Sequence, residues 1–207
     1  MARTTKLAAA LGAAVALSAV VTGIGMTVAA ARGGDEVLVV LRDATGAPRG
    51  TVQFRNTGEH TEVKARINEG IDGVAVDAFH GFHIHANDDP ANGEGCVADP
   101  AAEPKTWFVS ADGHWKEAGQ THAGHHGDLP SLLITSAGVA ESRFVTDRID
   151  LDQLPGKAVI MHAGPDNFGN VPVGTGDNQY SPNSPEAVTA TANTGNAGDR
   201  LLCGVVG

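Results

Sequence analysis

Cysteine is nearly absent: the 207-residue chain holds only Cys96 and Cys203. No activating motif surrounds either one, which argues against a catalytic thiol. Aromatic residues are few, with six phenylalanines, two tryptophans and one tyrosine, and nothing repeats at a fixed period. Both features point away from helical bundles and solenoids. Cations are short as well, 14 Lys and Arg against 24 Asp and Glu, for a formal charge of -10. Nucleic acid and anionic membrane surfaces are therefore not expected partners. An anionic substrate would be repelled by the chain as a whole, so its use demands a local cation. What is abundant is glycine, at 27 residues, as in a turn-rich β protein.

The N-terminus is the one long uncharged stretch. Arg3 and Lys6 form a basic start, residues 7–31 carry no charge, and Ala29-Ala30-Ala31 offers a small-residue cleavage site. Residues 1–31 are expected to be a signal peptide, leaving one domain over 32–207. The alternative is a retained membrane anchor, since the run exceeds the roughly 18 residues that can span a bilayer. No cysteine lies there to carry a lipid. Cleavage removes Arg3 and Lys6 and no acid, taking the formal charge from -10 to -12. In an exported chain, secreted, periplasmic or bound to the envelope, Cys96 and Cys203 are expected to form one intramolecular disulfide.

From Glu36 onward, short β-branched runs alternate with turn clusters. Strands are expected at 36–42, 50–55, 60–67, 76–86, 132–136, 141–146, 157–162 and 201–206, eight in all. With almost no helical periodicity, this is an all-β chain, an eight-stranded antiparallel Greek-key sandwich or barrel. Two long stretches, 87–130 and 164–199, interrupt the rhythm, and loops of that length are usually functional or disordered. The first holds four of the nine histidines.

On a strand, His83 and His85 of Gly81-Phe82-His83-Ile84-His85 project from one face while Phe82 and Ile84 enter the core. Two imidazoles on one face can share an ion, although the pair alone is weak evidence. Downstream stand Gly95-Cys96, Gly113-His114, His122, His125, Gly127-Asp128-Leu129, His162, Asp166, and Gly195-Asn196-Ala197-Gly198-Asp199-Arg200-Leu201-Leu202-Cys203-Gly204. In this order the set resembles the copper/zinc superoxide dismutase family over about residues 36–207.

That resemblance implies copper on His83, His85, His114 and His162, and zinc on His114, His122, His125 and Asp128, with His114 bridging the two. It implies that Asp166 hydrogen-bonds one imidazole of each site, that Arg200 guides the superoxide anion, and that His114 carries a proton during turnover. The chain departs from the family in spacing: His122, His125 and Asp128 are only three residues apart, a shortened loop that bears on zinc occupancy. His126 offers the same chemistry one position along from His125. His80 is expected to be a hydrogen-bonding group at the core edge and His60 a solvated loop residue. The reading of a different class is a copper-binding or storage module on the same fold without turnover. The segment 168–199 holds no Lys or Arg and three acids, Asp177, Glu186 and Asp199, so long-range steering of an anion should be weak.

Overall fold

A strand with one face on a core must bury every second residue, and the first three strands do so. The computed structural model describes residues 35–168 and 185–207. In it β1 (Glu36–Arg42), β2 (Pro48–Asn56) and β3 (Thr61–Ile67) alternate between buried and accessible positions. Their inward residues, among them Val39, Leu41, Val52, Phe54 and Val63, are at most 1% exposed. Each such side chain stabilises the fold by roughly 1.5–3 kcal/mol relative to exposure.

β4 (Ala78–His85), β5 (Asp128–Ile134), β6 (Ala140–Thr146), β7 (Ala158–His162) and β8 (Arg200–Val205) complete the sheet. All pairings are antiparallel, in the order β5-β4-β7-β8-β1-β2-β3-β6. The two end strands, β5 and β6, are consecutive in the chain. They are joined by a tight turn in which Gly138 N donates to Thr135 O at 2.8 Å and Thr135 N donates to Val139 O at 2.9 Å. The sheet therefore curls into a nearly closed Greek-key barrel, the all-β architecture expected from the sequence.

β4 and β7 break the alternation, because they are buried on both faces. Phe82 and Ile84 fill the barrel, and His83 and His85 on the opposite face are covered by the long loops; all four are 0% exposed. The first loop winds through three short 3₁₀ turns, Pro90–Asn92, Pro104–Thr106 and Val109–Ala111. A disulfide between Cys96 and Cys203, with Cα atoms 5.6 Å apart, fastens it to β8.

Two elements differ from the expectation. β5 begins at Asp128 rather than at 132, because Asp128 and Leu129 pair with His83 and Phe82 ahead of a register shift opposite Gly81. The proline at 130 sits within that irregularity, where a missing N–H does least harm, and in sequence it reads as a turn. The second long loop holds a helix, α1 (Pro185–Thr194), whose Ala- and Thr-rich sequence carries no apolar stripe to betray it. Among the described residues no helix is long and apolar enough to cross a membrane. The expected signal peptide, residues 1–31, lies outside the described residues.

Candidate metal centre

Four histidines meet on the outer face of β4 and β7. His83 and His85 come from β4, His162 ends β7, and His114 is brought alongside by an isolated antiparallel bridge to His85. One ring nitrogen from each lies within 4.8 Å of the others. The outward nitrogen of each ring is occupied, which sets the tautomer of the inward one. His85 Nδ1 donates to Asp112 O at 2.8 Å, His162 Nδ1 to Gly198 O at 3.0 Å, and His83 Nε2 to Asp166 Oδ1 at 2.9 Å. This leaves His83 Nδ1, His85 Nε2, His114 Nε2 and His162 Nε2 facing inward, the His85 and His162 atoms 3.4 Å apart.

Burial, reinforced by the neighbouring imidazoles, pushes His83, His85 and His162 well below the ordinary histidine range. Neutral rings keep their lone pairs, which is the state a metal requires. His83 Nδ1 and His114 Nε2 have no hydrogen-bond partner although buried. Such orphaned groups are unfavourable by about 1–3 kcal/mol each unless something accepts them.

A second cluster shares His114. Its Nδ1 lies 2.8 Å from Asp128 Oδ1, and the same oxygen is 3.1 Å from His122 Nδ1 and 3.2 Å from His125 Nδ1. His125 Nδ1 is 3.4 Å from His114 Nδ1. Bonds of about 2.0–2.1 Å to one tetrahedral ion place ligand atoms about 3.3–3.4 Å apart, close to the distances of the three rings from Asp128 Oδ1 and of His125 from His114, whereas the His122 and His125 rings stand further apart, with centroids 6.0 Å from each other. The groups that all lie within 4.8 Å of one another here are His83, His114, His122 and Asp128, a set that leaves out the expected His125; His83 Nε2 is taken by Asp166 and His125 Nδ1 faces Asp128. Burial alone would raise the Asp128 carboxyl, but His114 and His122 outweigh it and hold it well below the usual carboxylate range. His126 turns away: it stacks on Trp115 with ring centroids 5.1 Å apart and donates from Nδ1 to Arg148 O at 3.1 Å.

Asp166 stands between the clusters. Its Oδ1 accepts from His83 and lies 3.6 Å from His122 Nε2, and its Oδ2 accepts from Ser131 Oγ at 2.9 Å. Gly195 makes this possible: at φ 63°, an added Cβ would stand 2.6 Å from both Asp166 Oδ1 and His122 Nε2. Ser131 is a supporting group that sequence reasoning missed, since an isolated serine carries no signal. Phe168, stacked 5.5 Å from the His122 ring, was missed for the same reason. His80 behaves as expected, fully buried with its ring nitrogens 2.8 Å from His162 O and Ala75 O. His60 is exposed.

Arg200 opens β8 opposite His162. Its guanidinium donates to Phe108 O and to Asp112 O, the carbonyl that also receives His85. It is thereby fixed beside the four-histidine cluster, and among the described residues no ion pair to Asp199 forms.

The profile of the copper/zinc superoxide dismutases matches residues 48–206. The chain belongs to the copper/zinc superoxide dismutase family. Among its family relatives, superoxide dismutase (Cu-Zn) of Mycolicibacterium paratuberculosis is 31% identical over 191 residues, covering 90% of this chain and 80% of the relative. The Mycobacterium tuberculosis enzyme of that name is 34% identical over 168 residues, covering 78% and 67%. The Escherichia coli K12 enzyme is 30% identical over 151 residues, covering 70% and 83%. A crystal structure of a double mutant of a SOD-like protein from Bacillus subtilis shares the fold, with a TM-score of 0.55, 22% identity, and 82% and 95% of the two chains covered.

For a family member whose histidines are packed this tightly, acid should be destabilising once metal is stripped. The folded-state values of His83, His85, His162, His114 and His125 are all depressed, with burial the largest cause. Below about pH 6.5 the unfolded chain binds protons that the folded chain refuses, so stability rises with pH there. The contribution is complete above that pH and is lost as pH falls toward the folded values. The urea midpoint of chelator-treated protein should drop between about pH 7 and 5; an unchanged midpoint would contradict neutral burial.

Proposed function

We propose that the chain dismutates superoxide, converting two superoxide anions and two protons to oxygen and hydrogen peroxide. The observation that carries this reading is the set of four buried imidazoles whose lone pairs converge beside an arginine held in place. In the proposed assignment His83, His85, His114 and His162 hold copper, and His114, His122, His125 and Asp128 hold zinc, both ion types suiting imidazole. Copper bound there supplies one-electron chemistry by alternating between two oxidation states.

The chain's own residues supply the rest. Arg200 spends part of its five-donor fork on the carbonyls of Phe108 and Asp112, and its remaining N–H groups bind the anion. His114 Nε2, buried without a partner, is the atom at which a proton is held and delivered. Asp166 keeps His83 and His122 in fixed orientation. A copper store on this fold would need neither Arg200 nor a shared histidine, and the names of the relatives favour turnover. Residues 1–31 are proposed to direct export and 32–207 to form the enzyme; an oxidising compartment agrees with the disulfide.

The test is superoxide consumption by copper- and zinc-loaded protein against the metal-stripped chain, with metal analysis expected to give about one copper and one zinc per chain. The loaded protein should consume superoxide far faster. Its rate should change by less than about twofold between roughly 0.01 and 0.15 M salt, because residues 168–199 carry no cation to be screened. Loaded protein no faster than stripped protein would defeat the reading, and a steep fall with salt would refute weak steering.

A further inference from the structure

The short segment 122–128 contributes three of the four groups of the second cluster, and its backbone has few internal partners. His122 N donates outward to Ala192 O in the last turn of α1 at 2.8 Å, and Gly127 N donates to Trp115 O at 2.9 Å. Two of its carbonyls, those of Ala123 and His125, are served by one side chain from a different part of the barrel: Arg148 Nη1 donates to them at 2.9 and 3.4 Å. In return the ring of His126 donates from Nδ1 to Arg148 O at 3.1 Å.

Each half of this arrangement has a firm base. Arg148 is followed by Ile149, which is 5% exposed and whose carbonyl accepts from Thr61 Oγ1 at 2.7 Å. The His126 ring lies flat on Trp115, whose own backbone N–H donates to Ile84 O at 2.9 Å, and Lys157 Nζ sits 4.6 Å from the Trp115 ring centre. A segment this short cannot bury a core of its own, so external attachment has to supply its rigidity.

We infer that Arg148 and His126 form a reciprocal clasp that sets the backbone of 122–128 so that His122, His125 and Asp128 are poised for zinc before the ion arrives. Arg148 is thus a positioning residue that acts through the carbonyls on either side of Gly124, at Ala123 and His125. The inference rests on the proposed zinc site and adds residues that touch no metal.

The experiment measures zinc affinity by competition with a chromogenic chelator, and the ligand-field spectrum of cobalt(II) substituted at the zinc site, for wild type, Arg148→Ala, Arg148→Lys and His126→Leu, all with copper bound. Arg148→Ala should weaken zinc by about tenfold or more, within the range seen when groups behind metal ligands are removed. Its cobalt bands should broaden or shift, while copper affinity and the thermal midpoint of the metal-free protein stay near wild type. Arg148→Lys, which keeps N–H donors on one nitrogen but loses the planar guanidinium geometry, should recover part of the loss, and His126→Leu should show a smaller loss. Zinc affinity of Arg148→Ala within twofold of wild type, or an equal loss of copper and of metal-free stability, would overturn the clasp. Wild type showing no four-coordinate cobalt spectrum would instead overturn the zinc site itself, and the clasp with it.

Discussion

Replacing His114 with alanine is expected to lower superoxide consumption by about 10²- to 10⁴-fold, the range that a positioned proton-transfer group contributes. The side chain is 0% exposed, with Nδ1 2.8 Å from Asp128 and Nε2 directed into the four-histidine cluster. Alanine therefore removes a donor atom from both clusters at once, together with the proposed proton carrier between them. Zinc should bind much more weakly, with three of its four proposed groups left, while three histidines still retain copper with reduced affinity. Metal content measured beside the rate separates the two losses: a variant that keeps copper yet turns over slowly has lost the proton carrier. His60→Ala, at an exposed position on the turn between β2 and β3, should be as active as wild type. Activity of His114→Ala within about tenfold of wild type would remove the proposed proton-carrier role.

The second large effect is on stability. Converting Cys96 and Cys203 to serine opens a loop of 107 residues, and in the chain-entropy model closure of such a loop stabilises the fold by about 5 kcal/mol. For a domain of this size that corresponds to a fall in Tm of roughly 10–20 °C. The disulfide also ties the first long loop, which carries the Phe108 and Asp112 carbonyls, to β8, which opens with Arg200. Loss of the bond should thus lower activity even at temperatures where the double variant is folded, and the anion affinity of the proposed copper site should weaken with it. A Tm within about 3 °C of wild type would show that the barrel alone holds these elements together.

The barrel was legible because its first strands obey a period of two, and β1 spans the residues expected of it. The first part of β5 was not, since Asp128 to Pro130 falls in the long interruption before the expected strand and becomes strand only through pairing with β4, a contact that sequence periodicity does not report. α1 was hidden by composition: alanine and threonine carry too little contrast between faces. The histidines of β4 were readable as a pair on one face, and the rest of the cluster became readable only through residue order, which is a family signal rather than a local one. What no sequence pattern exposes are the backbone partners. The Asp112 carbonyl, which receives both His85 and Arg200, and the Ala192 carbonyl, which receives the segment of His122, act through atoms that every residue possesses. The choice between His125 and His126 was open for the same reason, and the ring stacking of His126 on Trp115 decides which of them turns inward.

His114 belongs to both clusters and Asp166 links a ring of one to a ring of the other, and that sharing has a thermodynamic consequence. On the proposed ligand assignment, an ion in either position fixes an imidazole that the other position also uses, directly through His114 and through the Asp166 carboxylate between His83 and His122. Binding linkage is reciprocal. Whatever factor zinc adds to the affinity for copper, copper must add to the affinity for zinc, so the order of loading changes the path to the filled protein but not its total binding free energy.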